Sequence, residues 1–217
     1  MLYSVPAFVP TDLMISIYQL KPRFQSLLRP LVGRLASAGV TANAVTLLAM
    51  FVSCILGLVL ALAADHRLFL LLPLWMFLRM ALNAVDGMLA REHGQQSRLG
   101  AYLNELTDVV SDAALYLPFV LIAPFGWASV GAVVFLAALS EMTGALGPMI
   151  GARRGYEGPM GKSDRALLFG ALGLWLGVAG ALPAWVFWVM PAMAGLILLN
   201  IVNRIRSGLQ QTAHLSS

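Results

Sequence analysis

Two stretches of the chain carry oxygen-bearing side chains at spacings that a helix turns into a face. At about 100° per residue, Asn83, Asp86, Gly87 and Ala90 fall within roughly a third of a helix circumference, with Arg79 one turn earlier. Gly100, Asn104, Asp108 and Asp112 step by four, which stacks their positions one above another, and Glu105 lies beside them. Two such faces on neighbouring helices make a pocket rich in oxygen ligands and poor in side-chain bulk, close to Arg91 and Arg98. Carboxylate and amide oxygens without Cys or His favour magnesium, manganese or calcium over zinc. The small residues suit close approach of a flat or phosphorylated ligand.

The elements that position these groups belong to a membrane protein. Of 217 residues, 59% are hydrophobic and only 11% charged, and mean hydropathy is +0.81; a soluble domain is about half apolar and a quarter charged. Six apolar runs, about 42–64, 68–90, 99–124, 128–152, 165–182 and 184–203, each predict one transmembrane helix of roughly 20 residues. No room remains for a sizeable soluble domain. Before them, Leu13, Ile17, Leu20, Phe24, Leu27, Leu28 and Leu31 recur at helical spacing opposite Lys21, Arg23, Arg29 and Arg34, which predicts a helix in the interface plane, bent at Pro22 and Pro30. Met1–Pro10 has no basic n-region, so this segment is expected to stay in the mature chain. The expected fold is therefore all-α and integral to the membrane, with six transmembrane helices behind an N-terminal interfacial amphipathic helix. Its divisions are the interfacial segment 1–40, a transmembrane catalytic domain 41–206 and a C-terminal tail 207–217.

Of 14 Lys and Arg residues, 12 fall on one side of these spans, which puts both termini in the cytoplasm. The net charge of +4 is then a juxtamembrane girdle suited to anionic lipid and requires no nucleic acid. The lone Cys54 excludes an internal disulfide and a thiolate metal site. Neither an internal repeat nor an inverted pair of broken helices is evident, which weighs against a transporter.

The run Asp86-Gly87-Met88-Leu89-Ala90-Arg91, then eight residues, then Gly100, Asn104 and Asp108, resembles the CDP-alcohol phosphatidyltransferase motif Asp-x2-Asp-Gly-x2-Ala-Arg-x8-Gly-x3-Asp-x3-Asp. Thr41-Ala42-Asn43-Ala44-Val45-Thr46 is similar to the Pro-Asn-x-x-Thr start of that family's first span, and Arg98-Leu99-Gly100-Ala101 looks most like its phosphatidylglycerophosphate synthase type. The resemblance implies transfer of a phosphatidyl group from CDP-diacylglycerol to an alcohol with release of CMP, without a covalent intermediate. It implies one or two Mg2+ or Mn2+ ions held by Asn83, Asp86, Asn104 and Asp108. Asn43, Gly87, Ala90, Arg91 and Gly100 would line the CDP donor, and Asp108 would be the base. A homodimer in a bacterial inner membrane, with its site at the cytoplasmic face, is implied too.

The first and third aspartates of the motif are Asn83 and Asn104 here. Two negative ligands are lost, so a second metal should bind more weakly unless Glu105 or Asp112 replaces them. A reassigned shell, a one-metal enzyme and a degenerate one stay open. If Asp108 is committed to metal, Asp112 and Glu105 are candidate bases; otherwise they pair with Arg79 or cap hydrogen bonds inside the bundle. Before the fifth span, Arg153, Lys162 and Arg165 flank Gly158-Pro159-Met160-Gly161 and suggest a cradle for a phosphorylated acceptor. Glu141 could pair with Arg79 or face the site, and Asn200 and Asn203 should bond between helices. Rival readings are transfer from a soluble CDP-linked headgroup to a lipid alcohol, and a silent nucleotide-lipid binder.

Overall fold

In the computed structural model the described residues are 11–63, 65–156 and 158–213, the side chains of 11–22 and 213 excepted. Among them there are seven long helices and no strand: α1 (Thr11–Ser37), α2 (Ala42–Leu62), α3 (Leu71–Glu92), α4 (Arg98–Tyr116), α5 (Trp127–Leu146), α6 (Lys162–Ala179) and α7 (Val189–Ala213). Short 3-10 turns lead into α3 (His66–Leu70) and α7 (Ala184–Trp188) and trail α4 (Leu117–Leu121) and α5 (Gly147–Ile150). Every expected apolar run becomes a helix. The expected tail does not stand apart, since α7 continues through 207–213; residues 1–10 and 214–217 lie outside the described residues.

Among the described residues, four stretches are long and apolar enough to cross a membrane: Ala42–Leu62, His66–Glu92, Trp127–Ile150 and Ala184–Thr212. The helices α4 and α6 fall outside that set, being shorter and each carrying several charges: Glu105, Asp108 and Asp112 on α4, Lys162, Asp164 and Arg165 on α6. On α2 the exposed face is Leu48, Phe51, Ile55, Leu58 and Leu62, an apolar stripe turned outward. That inversion suits lipid as the solvent.

Helix ends follow from local chemistry. Thr41 Oγ1 accepts from the Ala44 N–H at 3.2 Å and opens α2, and Ser97 Oγ accepts from the Gly100 N–H at 2.9 Å and opens α4. Gln95, between α3 and α4, ties these starts together: its Oε1 accepts from the Ala42 N–H at 2.7 Å and its Nε2 donates to the Val40 carbonyl at 3.3 Å. The helix α1 runs unbroken through both prolines, buries Val32 beside Val45, Val85 and Leu89, and its Arg29 forks onto Glu92 with both bonds at 3.0 Å.

Packing sets α2 against α3 and α4, α6 against α3, and α5 against α7. Lipid tails offer helices no hydrophobic reason to associate, so close approach through small residues matters. A Cβ on Gly57 would run into the Ala114 carbonyl of α4, and on Gly177 into Leu70. An apolar core of fully buried Leu72, Phe119, Met190 and Ile197, with Tyr116 stacked on Phe169 at 3.9 Å, closes one end of the bundle. Polar bonds also cross between helices. Trp75 Nε1 donates to Ser53 Oγ at 2.9 Å, Ser140 Oγ donates to Asn200 Oδ1 at 2.8 Å, and Asn200 Nδ2 donates to the Pro159 carbonyl at 2.9 Å. Asn200 thus does what its position predicted, whereas Asn203 is exposed.

Candidate functional site

The two motif halves meet through their side chains, because α2 packs against both α3 and α4 while α6 packs against α3. From α3, Asp86 is buried and its Oδ2 lies 2.7 Å from Thr46 Oγ1 of α2. The same hydroxyl lies 3.0 Å from the Ala42 carbonyl, so its one proton serves one acceptor at a time. From α4, Asp108 is half-buried, and Asn83 Nδ2 reaches its Oδ1 at 3.5 Å. Lys162 Nζ, from the first turn of α6, stands 2.5 Å from that oxygen and Arg79 Nη2 3.2 Å from it. All of these side-chain contacts fall on Oδ1, leaving Oδ2 on the other side of the carboxylate. Asn104 is half-buried one turn before Asp108.

The small residues serve as clearance. A Cβ on Gly87 would stand 3.0 Å from Arg91 Nη1, and one on Gly100 would come within 2.8 Å of Asn43 Oδ1. Arg91 therefore lies over Gly87, and the start of α4 touches the start of α2. Ala90 is half-buried on the same stretch.

Glu105 and Asp112 turn away from this centre. Arg154 Nη2 donates to Glu105 Oε2 at 2.6 Å. Asp112 is buried between Arg79 Nη1 at 2.5 Å and Arg165 Nη2 at 3.5 Å. Among the described residues, no three His, Cys, Asp or Glu side chains come together as a metal cluster. Asp112 takes the Arg79 pair that the sequence left open, whereas Glu105 pairs with Arg154 instead.

Behind them lies a second group. Glu141 of α5 receives Arg165 at 2.9 Å, Arg154 at 3.4 Å and Arg204 at 3.7 Å, so it pairs with these arginines and not with Arg79. Arg204 Nη1 also donates to the Ser140 carbonyl. Arg165 has no exposed surface, and its Nη1 donates to the Met160 carbonyl at 3.1 Å. A ligand cannot touch it without opening the bundle. Of the expected acceptor contacts, then, Lys162 meets Asp108, Arg165 is buried, and Arg153 is exposed beside an open cavity of about 680 Å3 lined by Gly151, Arg153, Arg154, Tyr156 and Gln211. Arg154 joins this cavity to the ion pairs and stacks over Tyr156 at 4.6 Å.

Sequence reasoning undervalued Thr46, Arg154 and Arg204. Thr46 ends the Thr41–Thr46 stretch that opens α2, and Arg204 follows Asn200 by four residues, which puts both on the face of α7 toward α5.

Whether these groups fit a divalent cation is a question of donor chemistry. Asp86, Asp108 and the amide oxygens available from Asn83 and Asn104 are hard donors, and two carboxylates match the charge of one dication. An ammonium already sits at Asp108 Oδ1, so the position attracts a cation. The set fits such an ion, and Glu105 and Asp112, drawn onto arginines, are not part of it.

Residues 39–203 match the family described as CDP-alcohol phosphatidyltransferase. The chain is 48% identical over 204 residues to the inner membrane protein YnbA of Escherichia coli K12, covering 93% of this chain and 100% of that protein. It is 32% identical over 111 residues to phosphatidylinositol phosphate synthase of Mycobacteroides abscessus, covering 51% of this chain and 49% of that protein. Two crystal structures of Mycobacterium tuberculosis phosphatidylinositol phosphate synthase share the fold. The one with CDP-DAG bound has a TM-score of 0.68 at 18% identity, covering 82% of this chain and 92% of that one. The other, with manganese and citrate, has a TM-score of 0.66 at 19% identity, covering 83% and 88%. With the match spanning most of its length, the chain belongs to the CDP-alcohol phosphatidyltransferase family.

Proposed function

We propose that this protein transfers the phosphatidyl group of CDP-diacylglycerol to an alcohol and releases CMP. The observation that carries the reading is the convergence of the two motif halves: Asn83 of α3 reaches Asp108 of α4, Lys162 of α6 sits on the same carboxylate, and Asp86, one turn on from Asn83, is held by Thr46 of α2. The M. tuberculosis neighbour with CDP-DAG bound supports the donor, and the one with manganese supports a divalent ion.

In this reading Asp86 and Asp108 hold one Mg2+ or Mn2+, with Asn83 and Asn104 as neutral ligands. The ion, when bound, offsets the charge of the diphosphate and of the departing CMP. Thr46 fixes the rotamer of Asp86, so the carboxylate is aimed before substrate arrives. Gly87, Ala90 and Gly100 leave space for the cytidine, with Arg91 and Asn43 at its edges. The alcohol oxygen attacks the lipid-side phosphorus, the bond from that phosphorus to the oxygen of CMP breaks, and CMP leaves with the electron pair. The hydroxyl proton goes to a carboxylate, for which Asp108 Oδ2 is the best placed, since Glu105 and Asp112 are engaged by arginines. Lys162, fixed at Asp108, is also within reach of the diphosphate side of the site.

Six crossings belong to the same proposal. The helices α4 and α6 complete the four apolar spans by turning Asp108, Asp112 and Arg165 inward, and α1 lies in the interface as an amphipathic helix. The Lys and Arg bias, together with the inner-membrane relative, supports cytoplasmic termini and a cytoplasmic site in a bacterial inner membrane. The homodimer is carried by the family resemblance.

The test is purified protein in lipid nanodiscs with CDP-diacylglycerol, Mg2+ or Mn2+ and a panel of alcohols, reading CMP and the lipid product. Acceptor-dependent CMP release that disappears in Asp108→Ala is expected. Donor binding without turnover for every alcohol would turn the reading into that of a silent binder.

A further inference from the structure

We infer that the alcohol accepted here bears no phosphate or other net negative charge, and that Glu105 and Glu141 set that preference; this rests on the transferase reading above. The sequence suggests the opposite, because Arg153, Lys162 and Arg165 crowd the stretch before α6. The structure changes the sense of those charges. Each buried or half-buried cation around the site already has a carboxylate within 4.0 Å: Arg79 has Asp112, Lys162 has Asp108, Arg154 has Glu105, and Arg165 and Arg204 share Glu141.

Charge arithmetic then decides the acceptor. Asp86 is the one site carboxylate here with a hydroxyl as its side-chain hydrogen-bond partner, and its charge, with that of Asp108, is matched by a bound dication. The diphosphate of a CDP-linked lipid carries two negative charges, for which Lys162, released when the dication takes Asp108, and Arg91, lying over Gly87, are available. On the acceptor side Arg165 and Arg204 share the single carboxylate Glu141, but both are buried out of a ligand's reach. Arg154, the guanidinium that joins the 680 Å3 cavity to the site, is bracketed by Glu105 at 2.6 Å and Glu141 at 3.4 Å. A phosphate dianion reaching Arg154 would have to sit against both carboxylates, in a half-buried setting where like charges repel more strongly than in water. Arg153 is the remaining cavity cation, but it is exposed, and an exposed guanidinium is screened and holds an anion weakly. A hydroxyl-bearing, uncharged alcohol suffers none of this: it can donate to Glu105 and accept from Arg154 without separating them.

The test uses wild-type protein in nanodiscs with Mn2+ and CDP-diacylglycerol, and acceptors in pairs that differ only by phosphate: glycerol and glycerol 3-phosphate, myo-inositol and inositol 1-phosphate. The uncharged member of at least one pair is expected to show a kcat/KM about tenfold or more above its phosphorylated partner. In Glu105→Gln and Glu141→Gln the ratio is expected to move about tenfold toward the phosphorylated member. Should Glu141→Gln fail to fold, Glu105→Gln, at the rim of the bundle, carries the comparison. Separately, inorganic phosphate titrated calorimetrically into donor-loaded wild-type protein is expected to give no saturable binding. Preference for the phosphorylated alcohols, or saturable phosphate binding, overturns the inference and leaves the transferase standing. An unchanged ratio in both variants overturns the assignment of Glu105 and Glu141. Absence of turnover with all acceptors overturns the transferase reading, and the phosphate titration then decides the charge preference by itself.

Discussion

The α2–α3–α4 side of the site and the α5–α6–α7 side both hold charged groups inside the bundle, yet they handle them differently. On the first, Asp86 is buried with a hydroxyl for a hydrogen-bond partner, and Asn83 and Asn104 bring oxygen without charge. On the second, Glu141 is surrounded by three arginines and Arg165 by two carboxylates. The first region is left short of positive charge at Asp86 and gains by binding a cation; the second pairs its arginines with Glu141 and with Glu105 and Asp112 of α4. Ionisable groups inside a membrane cost several kcal/mol unless paired or solvated. Of the buried carboxylates among the described residues, Asp86 is the one without an ion-pair partner, where chemistry needs a cation, while Asp112 and Glu141 are paired.

Removing a carboxylate from the first region should do most harm to activity and little to the fold. Asp108→Ala is expected to lower CMP release at least about a thousandfold, while the thermal unfolding midpoint in nanodiscs stays near wild type. Collapse of the fold in Asp108→Ala would mean that the two regions are one structural network. Arg165→Ala should behave in the opposite sense. It takes one buried cation from each of Glu141 and Asp112, leaving them Arg204 and Arg79, and breaking such buried pairs costs about 3–5 kcal/mol. Unfolding measured by heat or by denaturant should show it, with or without substrate. A stable Arg165→Ala protein would refute the claim that the α5–α7 side is held by its ion pairs.

These regions were also unequally legible. The spacing from Asn83 to Asp108 was readable because helical periodicity places i, i+3 and i+4 residues on one face, and the residue types then name the chemistry. The six helices were readable from apolar runs. The roles of Glu105, Asp112 and Glu141 were not, because an isolated carboxylate in a span has several possible partners and only tertiary packing chooses. Arg154 and Arg165 read as loop charges on the positive-inside pattern, yet the chain folds both inward. Arg204 counted as juxtamembrane, and the continuation of α7 to Ala213 puts it inside instead.

Restoring charge to the first region sharpens the contrast. Asn83→Asp adds a third negative group beside Asp86 and Asp108 and should tighten Mn2+ binding about tenfold, read by electron paramagnetic resonance titration. An unchanged titration counts against Asn83 as a ligand. Thr46→Val takes away the hydroxyl that holds Asp86, and a buried acceptor left without its donor costs about 1–3 kcal/mol. The same variant should regain that stability when Mn2+ saturates the site, since the ion supplies what the hydroxyl gave; equal destabilisation with and without Mn2+ would place Thr46 in the packing alone.

The smallest effect belongs to a pair of charges outside both regions. Arg29 and Glu92 form a forked contact with both bonds at 3.0 Å, a geometry as good as any in the bundle, but their side chains are 60% and 35% exposed. Water and salt solvate each partner nearly as well as they solvate each other, so pairing gains little. Arg29→Ala should shift the unfolding midpoint too little to resolve, at low or high ionic strength, whereas Arg165→Ala shifts it at both. A salt-sensitive loss of stability in Arg29→Ala would show that α1 is held to α3 by this contact and not by Val32 and its apolar neighbours. Burial would then have to yield to geometry as the quantity that ranks the charge pairs of this protein.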